Sequence, residues 1–358
     1  MSNSLGYSLS AMFLALLISA TLSKIYLNKF HQGKLKFVDF ILSLVIALLP
    51  AAFLFTIGLE WKFGANYIPT SHSEDLTYSS FHIIALLITF AFTVLLVTRA
   101  KKDRESEERY MFGRFDRVDY TVFFIGIMLL GIELFKQLYY LNLNQGIENY
   151  LWYGFPLQFC SVPMFLYPLT PFIKNKKIKD ALYSFIGIFT AVGGLAVMIV
   201  GQSVFTLQVA ISVHTMLWHG AMVVVSIYVL AARQIGKSFK DYFMAIAVLI
   251  GFIILAQGVN VLFHYLAINH PGMATFDGFF INPWMSNVNM PVLSNIRISM
   301  QQSGMHVALV GILFSLLYFV AFSLGGLIIF IGLRIPYLVQ NTKAKKELKN
   351  KEVVTASN

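Results

Sequence analysis

The chain has 358 residues, of which 57% are hydrophobic and only 12% charged, with a mean hydropathy of +0.70. A soluble domain carries about 25% charged residues, so a soluble globular enzyme is excluded. The net charge of +10 then belongs to a membrane surface with anionic headgroups and not to a nucleic acid.

Nine apolar segments fall near 5–23, 39–59, 78–98, 119–139, 154–173, 181–200, 210–232, 242–264 and 306–333. Each is about 20 residues, enough to cross a ~30 Å hydrocarbon core as a helix. The period-two alternation of a membrane barrel is absent. The first segment has no basic residue before it and Lys24 after it, the reverse of a cleavable signal, so it reads as a retained span. Lys and Arg number four in 24–39, seven in 99–119, four in 174–180, three in 233–241 and six from Arg334 onward. The opposite side holds Lys62 and Arg297, and Lys136 lies inside a span. The positive-inside rule therefore predicts an all-α polytopic bundle of about nine transmembrane helices, N-out and C-in. Residues 1–77 form a two-span extension, 78–333 a seven-span core and 334–358 a basic cytoplasmic tail. The tail is polar and Lys-rich and reads as disordered, and the basic loops and tail suit anionic inner-leaflet lipids.

Spans one and two show little beyond scattered Ser and Thr. Span three places His82 near its outer end. The loop that follows, RAKKDRESEERYMFGRFDRVD, mixes both charge signs and reads as a solvated face. Span four puts Glu133, Lys136, Gln137 and Tyr140 on one helix face. Glu133 is the acidic residue set inside a span, where charge is costly and usually faces a protein interior or a wet cavity. A self-neutralising Glu133/Lys136 pair that only orders the bundle is the competing reading. Span six carries Gly187, Ala191 and Gly194 on a small-residue stripe suited to close helix packing. Span seven aligns Gln208, Ser212, Thr215 and His219, with His214 pointing elsewhere. Span eight aligns Gln257, Asn260 and His264, and the long external segment from Tyr265 to Ser303 could cover the outer mouth.

Depth gathers these residues. Counting at ~1.5 Å per residue to the nearest inner charge puts Cys160 and His219 both about 21 Å from the inner boundary. Glu133, His82 and Gln257 fall within a few residues of the same depth. Polar groups on five helices at one depth point to an outer-half cavity.

Cys160 is the only cysteine, which excludes any intramolecular disulfide. A thiol beside an imidazole is a nucleophile for acyl transfer. Cys160 would attack a carbonyl, with His219 as base toward the thiol and acid toward the leaving alcohol. Glu133, His82 or Asn260 would orient the imidazole, and Gln158 or Gln257 would donate to an oxyanion. Against this, a lone membrane cysteine is usually a small hydrophobe. No HExxH, paired-Cys, Walker or GxSxG pattern occurs, so neither a metal nor another cofactor is called for.

Three stretches, FHIIAL around His82, FPLQFCSVPMFLYPL around Cys160 and LWHGAMVVVSIYVL around His219, together resemble the YwaF-like family of bacterial integral membrane proteins. Asn260 and Pro283-Trp284 match that pattern more loosely, and Gln158 stands where it has His. The family is distantly similar to eukaryotic membrane proteins proposed as Cys/His phospholipid acyltransferases and to androgen-induced lipid-ester hydrolases. The resemblance implies Cys160 as nucleophile, His219 as its partner, membrane lipid as substrate and a bacterial plasma membrane location. The alternatives are a carrier with a proton-linked site at Glu133, His82 and His219, and a non-catalytic membrane scaffold.

Overall fold

A computed structural model describes residues 14–23, 25, 36–63, 76–143, 155–200, 204–205, 209–269, 276–285 and 293–356. The α-helices among them are α1 (Leu14–Ser23), α2 (Lys36–Phe63), α3 (Ser80–Glu105), α4 (Arg117–Leu143), α5 (Val162–Leu169), α6 (Lys176–Val200), α7 (Val209–Ala232), α8 (Phe239–Asn269), α9 (Leu293–Gln302) and α10 (Val307–Ala356). The chain is a multi-pass membrane protein by its apolar helices. Among the described residues six are long and apolar enough to cross a membrane: Ser80–Glu105, Arg117–Leu141, Lys176–Val200, Ile211–Ala232, Phe239–Asn269 and Val307–Ile335. Leu14–Ser23, Phe37–Ala52 and Phe159–Phe172 are shorter apolar helices.

The core sits where α6 meets α7, α8, α5 and α10, with α3 packed on α7 and α2 on α4. The small-residue stripe of α6 makes this approach possible. A Cβ on Gly194 would lie 3.0 Å from the side chains of Met222 and Val223 and 3.1 Å from the His219 carbonyl. Substitution there forces α6 and α7 apart.

Three expectations are revised. The fifth segment is not one continuous helix: a 3₁₀ turn (Phe159–Ser161), α5 and a second 3₁₀ turn (Thr170–Phe172) follow each other. Proline at 163, 168 and 171 removes backbone donors and explains the fragmentation. At 14 residues the segment spans only about 21 Å even if fully α-helical, short of a ~30 Å core. The Lys-rich tail, read as disordered, continues α10 as far as Ala356. Its Lys, Glu, Ala and Leu are good helix formers.

The third revision concerns the loop read as a solvated face. Asp103 and Asp119 are each 1% exposed. Asp103 accepts from the Tyr228 hydroxyl at 2.9 Å and meets Arg117 at 3.2 Å. Asp119 accepts from Lys179 at 2.5 Å, Tyr183 at 2.6 Å and Arg233 at 2.6 Å. Arg233 also holds Asp116 through a fork of 2.7 and 2.8 Å. Burial alone would push the Asp116 carboxyl up, but the hydrogen bonds and charge of Arg233 outweigh it and hold it below the usual carboxylate range. This network ties together the Lys/Arg-rich ends of α3, α4, α6 and α7.

Candidate functional site

Cys160 lies in the 3₁₀ turn before α5 and is partly buried. Its carbonyl accepts from Trp218 Nε1 at 2.8 Å, so the turn is fastened to α7 at the residue next to His219. Phe159 of this turn and the His219 backbone both rest on the glycine pair of α6. A Cβ on Gly193 would meet the Phe159 ring at 3.2 Å, and one on Gly194 would meet the His219 carbonyl at 3.1 Å. His219 Nδ1 lies 2.8 Å from the Thr215 carbonyl, which can only accept. In the neutral ring Nδ1 therefore carries the hydrogen, and Nε2 keeps a lone pair able to take a proton.

On the α4 side, Glu133 Oε1 accepts from Lys136 at 2.7 Å and from Gln137 at 2.6 Å. Its second oxygen faces His214 Nε2 at 3.4 Å without hydrogen-bond geometry, and both atoms are buried without a hydrogen-bond partner. His214 stacks on Trp218 with ring centroids 5.3 Å apart. One indole thus joins the Glu133 cluster to the Cys160 turn. Sequence reasoning set His214 aside because it lies off the Gln208–His219 stripe. Its opposite-charge partner on span four was the available signal. Gln208 itself lies outside the described residues.

A third group is built by residues 276–285. This stretch was expected as part of an outer covering segment, yet Phe276, Asp277, Phe279, Ile281 and Asn282 are buried. Phe279 and Phe280 adopt left-handed backbone angles, φ 55° and 57°, unfavourable for side chains of this size. Asn260 pins the stretch by accepting from Gly278 N–H at 2.6 Å and donating to Gly278 O at 3.1 Å. Asn260 also donates to Gln257 at 3.1 Å, and Gln257 donates to the Gly311 carbonyl at 3.4 Å. Gln158 donates to the Asp277 carbonyl at 2.8 Å, while its Oε1 is buried without a partner. Arg297, counted above as an external charge, is 0% exposed. It meets Asp277 at 3.3 Å and the carbonyls of Phe280 and Asn282 at 3.2 and 2.8 Å. Burial pushes the Asp277 carboxyl up, with the Arg297 charge offsetting part of the shift. His264 of α8 stacks on Trp284 with ring centroids 3.8 Å apart.

His82 stands apart. Nδ1 accepts from Tyr78 N–H at 3.0 Å and Nε2 donates to the Met198 carbonyl at 2.8 Å, so both ring nitrogens are committed to joining α3 to the end of α6. It does not orient His219. The structure ties the Cys160 backbone to Trp218, stacks His214 of the Glu133 cluster on the same indole, joins Gln158 and Asn260 to the 276–285 stretch with Gln257 bonded to Asn260, and leaves His82 as a tie. Among the described residues no group of three or more His, Cys, Asp or Glu could hold a metal ion.

A sequence model described as the TMEM164 family matches residues 76–288, more than half of the chain. No curated protein and no solved structure matches it. The matched stretch contains Cys160, His214, His219, Glu133 and Asn260, and the chain belongs to the TMEM164 family of membrane proteins.

Proposed function

We propose that the protein is a membrane-embedded enzyme of lipid-ester chemistry, an acyltransferase or hydrolase using Cys160 and His219, in a polytopic helical bundle of a bacterial plasma membrane whose Lys/Arg-rich ends face the cytoplasm. The observation that carries this reading is the Trp218–Cys160 hydrogen bond of 2.8 Å, which fastens the cysteine turn to the α7 turn bearing His219. His219 Nε2 would take the Sγ proton as sulfur attacks the ester carbonyl carbon. The carbon–oxygen ester bond then breaks, the proton passes to the departing oxygen, and the acyl group stays on sulfur as a thioester. Water or a second lipid alcohol attacks that thioester and restores the thiol. The likeness to the YwaF-like and eukaryotic Cys/His proteins supports the same assignment.

The test is labelling of the purified protein in lipid with a lipid-like thiol-reactive probe between about pH 6 and 9. Labelling is expected in wild type, absent in Cys160→Ala and weakened in His219→Ala. Wild-type protein that labels only after denaturation overturns the dyad. A second reading, a proton-linked carrier, is favoured by the close but unbonded Glu133 and His214 atoms at 3.4 Å. It predicts solute binding that survives Cys160→Ala and is lost in Glu133→Gln. If all these variants are silent, the protein is a scaffold.

A further inference from the structure

A narrow cavity of about 220 Å³ opens between α1, α3, α4 and α7. It reaches along α3 from Ala85 to Arg99, a run of about 21 Å. One leaflet's hydrocarbon is about 15 Å deep, so the slot is long enough for a single acyl chain. Its walls are mainly apolar. The wall hydroxyls of Ser19, Ser23 and Tyr120 are already bonded: Ser19 to the Ile46 carbonyl at 2.7 Å, and Tyr120 to Ser43 at 2.9 Å and Ser23 at 3.4 Å. Among the described residues the charged side chains lining it are Arg99 and Arg117, both at the end that the Lys/Arg count assigns to the cytoplasm. Among the described residues no carboxylate lines it. Arg117 leans on Asp103 at 3.2 Å and Glu108 at 3.4 Å. Arg99 reaches Asp103 only at 3.8 Å and is 40% exposed, so its guanidinium keeps donors to offer.

An apolar slot with a cationic mouth matches an amphiphile with an anionic head. We infer that this cavity is a binding site for one anionic glycerophospholipid, its phosphate at Arg99 and Arg117 and one acyl chain lying between α3, α4 and α7. The site is separate from the Cys160 turn. Ala221 and Val224, which line it, lie about 160° and 140° around α7 from His219. It also stands if the dyad proves inert.

The test uses the full chain in lipid nanodiscs with phosphatidylglycerol carrying a photoreactive group on its acyl chain, mapped by peptide mass spectrometry. Adducts are expected on the α3, α4 and α7 peptides that line the slot. Phosphatidylcholine with the same chain should label them several-fold less. Arg99→Gln should lower the yield about fivefold, the equivalent of ~1 kcal/mol per basic residue at a membrane surface, and Arg99→Lys should recover most of it. Ala221→Phe should block the slot, with its thermal midpoint checked against wild type, and His219→Ala should leave the labelling unchanged. Equal labelling by both lipids, adducts mapping elsewhere, or insensitivity to Arg99→Gln overturns the proposal. So does a photoreactive free fatty acid that captures the same peptides as strongly.

Discussion

The Lys/Arg-rich end of the bundle and its middle handle buried charge in opposite ways. At the charged end, Asp119 is held by three donors at 2.5–2.6 Å and Arg233 forks onto Asp116 while also reaching Asp119. In the middle, one Glu133 oxygen faces His214 at 3.4 Å without a hydrogen bond, and Gln158 Oε1 is buried without a partner. The first arrangement fixes four helices. The second leaves buried acceptor and donor capacity unspent, the less common arrangement for buried polar groups.

That contrast can be broken from the charged side first. Arg233→Met removes the shared partner of Asp116 and Asp119 and should cost about 3–5 kcal/mol, the usual penalty for stripping one member of a buried ion pair. It would be read as a lowered unfolding midpoint in detergent. A fall no larger than that of Cys160→Ala would mean the network is ornamental. Next comes Asp277→Asn, which leaves the fully buried Arg297 without its counter-charge. A loss of about 3 kcal/mol is expected, and Asp277→Glu should recover part of it.

Acid sharpens the comparison. Asp116 has a depressed folded-state value, so it contributes stability above the unfolded value of about 3.9 and loses it as pH falls through the lower folded one. The unfolding midpoint should hold between about pH 7 and 5 and drop below about pH 4, and Asp116→Asn should flatten that limb. The smallest effect is expected at Gln158→Met. It forfeits one hydrogen bond to Asp277 O but also removes a buried unpaired oxygen. The net change should stay within about 1 kcal/mol. A loss several times larger would place Gln158 with the fully engaged charges.

The six long helices were legible because an apolar run of membrane length is a local property of the chain. Expected spans such as 181–200 and 210–232 fall inside Lys176–Val200 and Val209–Ala232. The broken fifth segment was only half legible: its prolines were visible, but not the 3₁₀ turns they produce around Cys160. Least legible were the partners of the charges. Arg233 and Asp116 are 117 residues apart, and Arg297 read as a solvent-facing external residue until Asp277 was found beside it. Helical periodicity assigns a residue to a face but does not say which helix that face meets. His214 shows the same limit, because it lay off the polar stripe of its own helix while its counterpart Glu133 lay on α4.

Arg297 also bears on how the molecule can be divided. The family match ends at residue 288, yet the counter-ion of Asp277 comes from α9, beyond that limit. The Phe279 ring likewise rests on Tyr318 of α10. A ribosome releasing this chain would expose the 276–285 stretch before either of these two partners had emerged, so its contacts are completed only with the last two helices. The matched region thus lacks two of the contacts that seat its own 276–285 stretch.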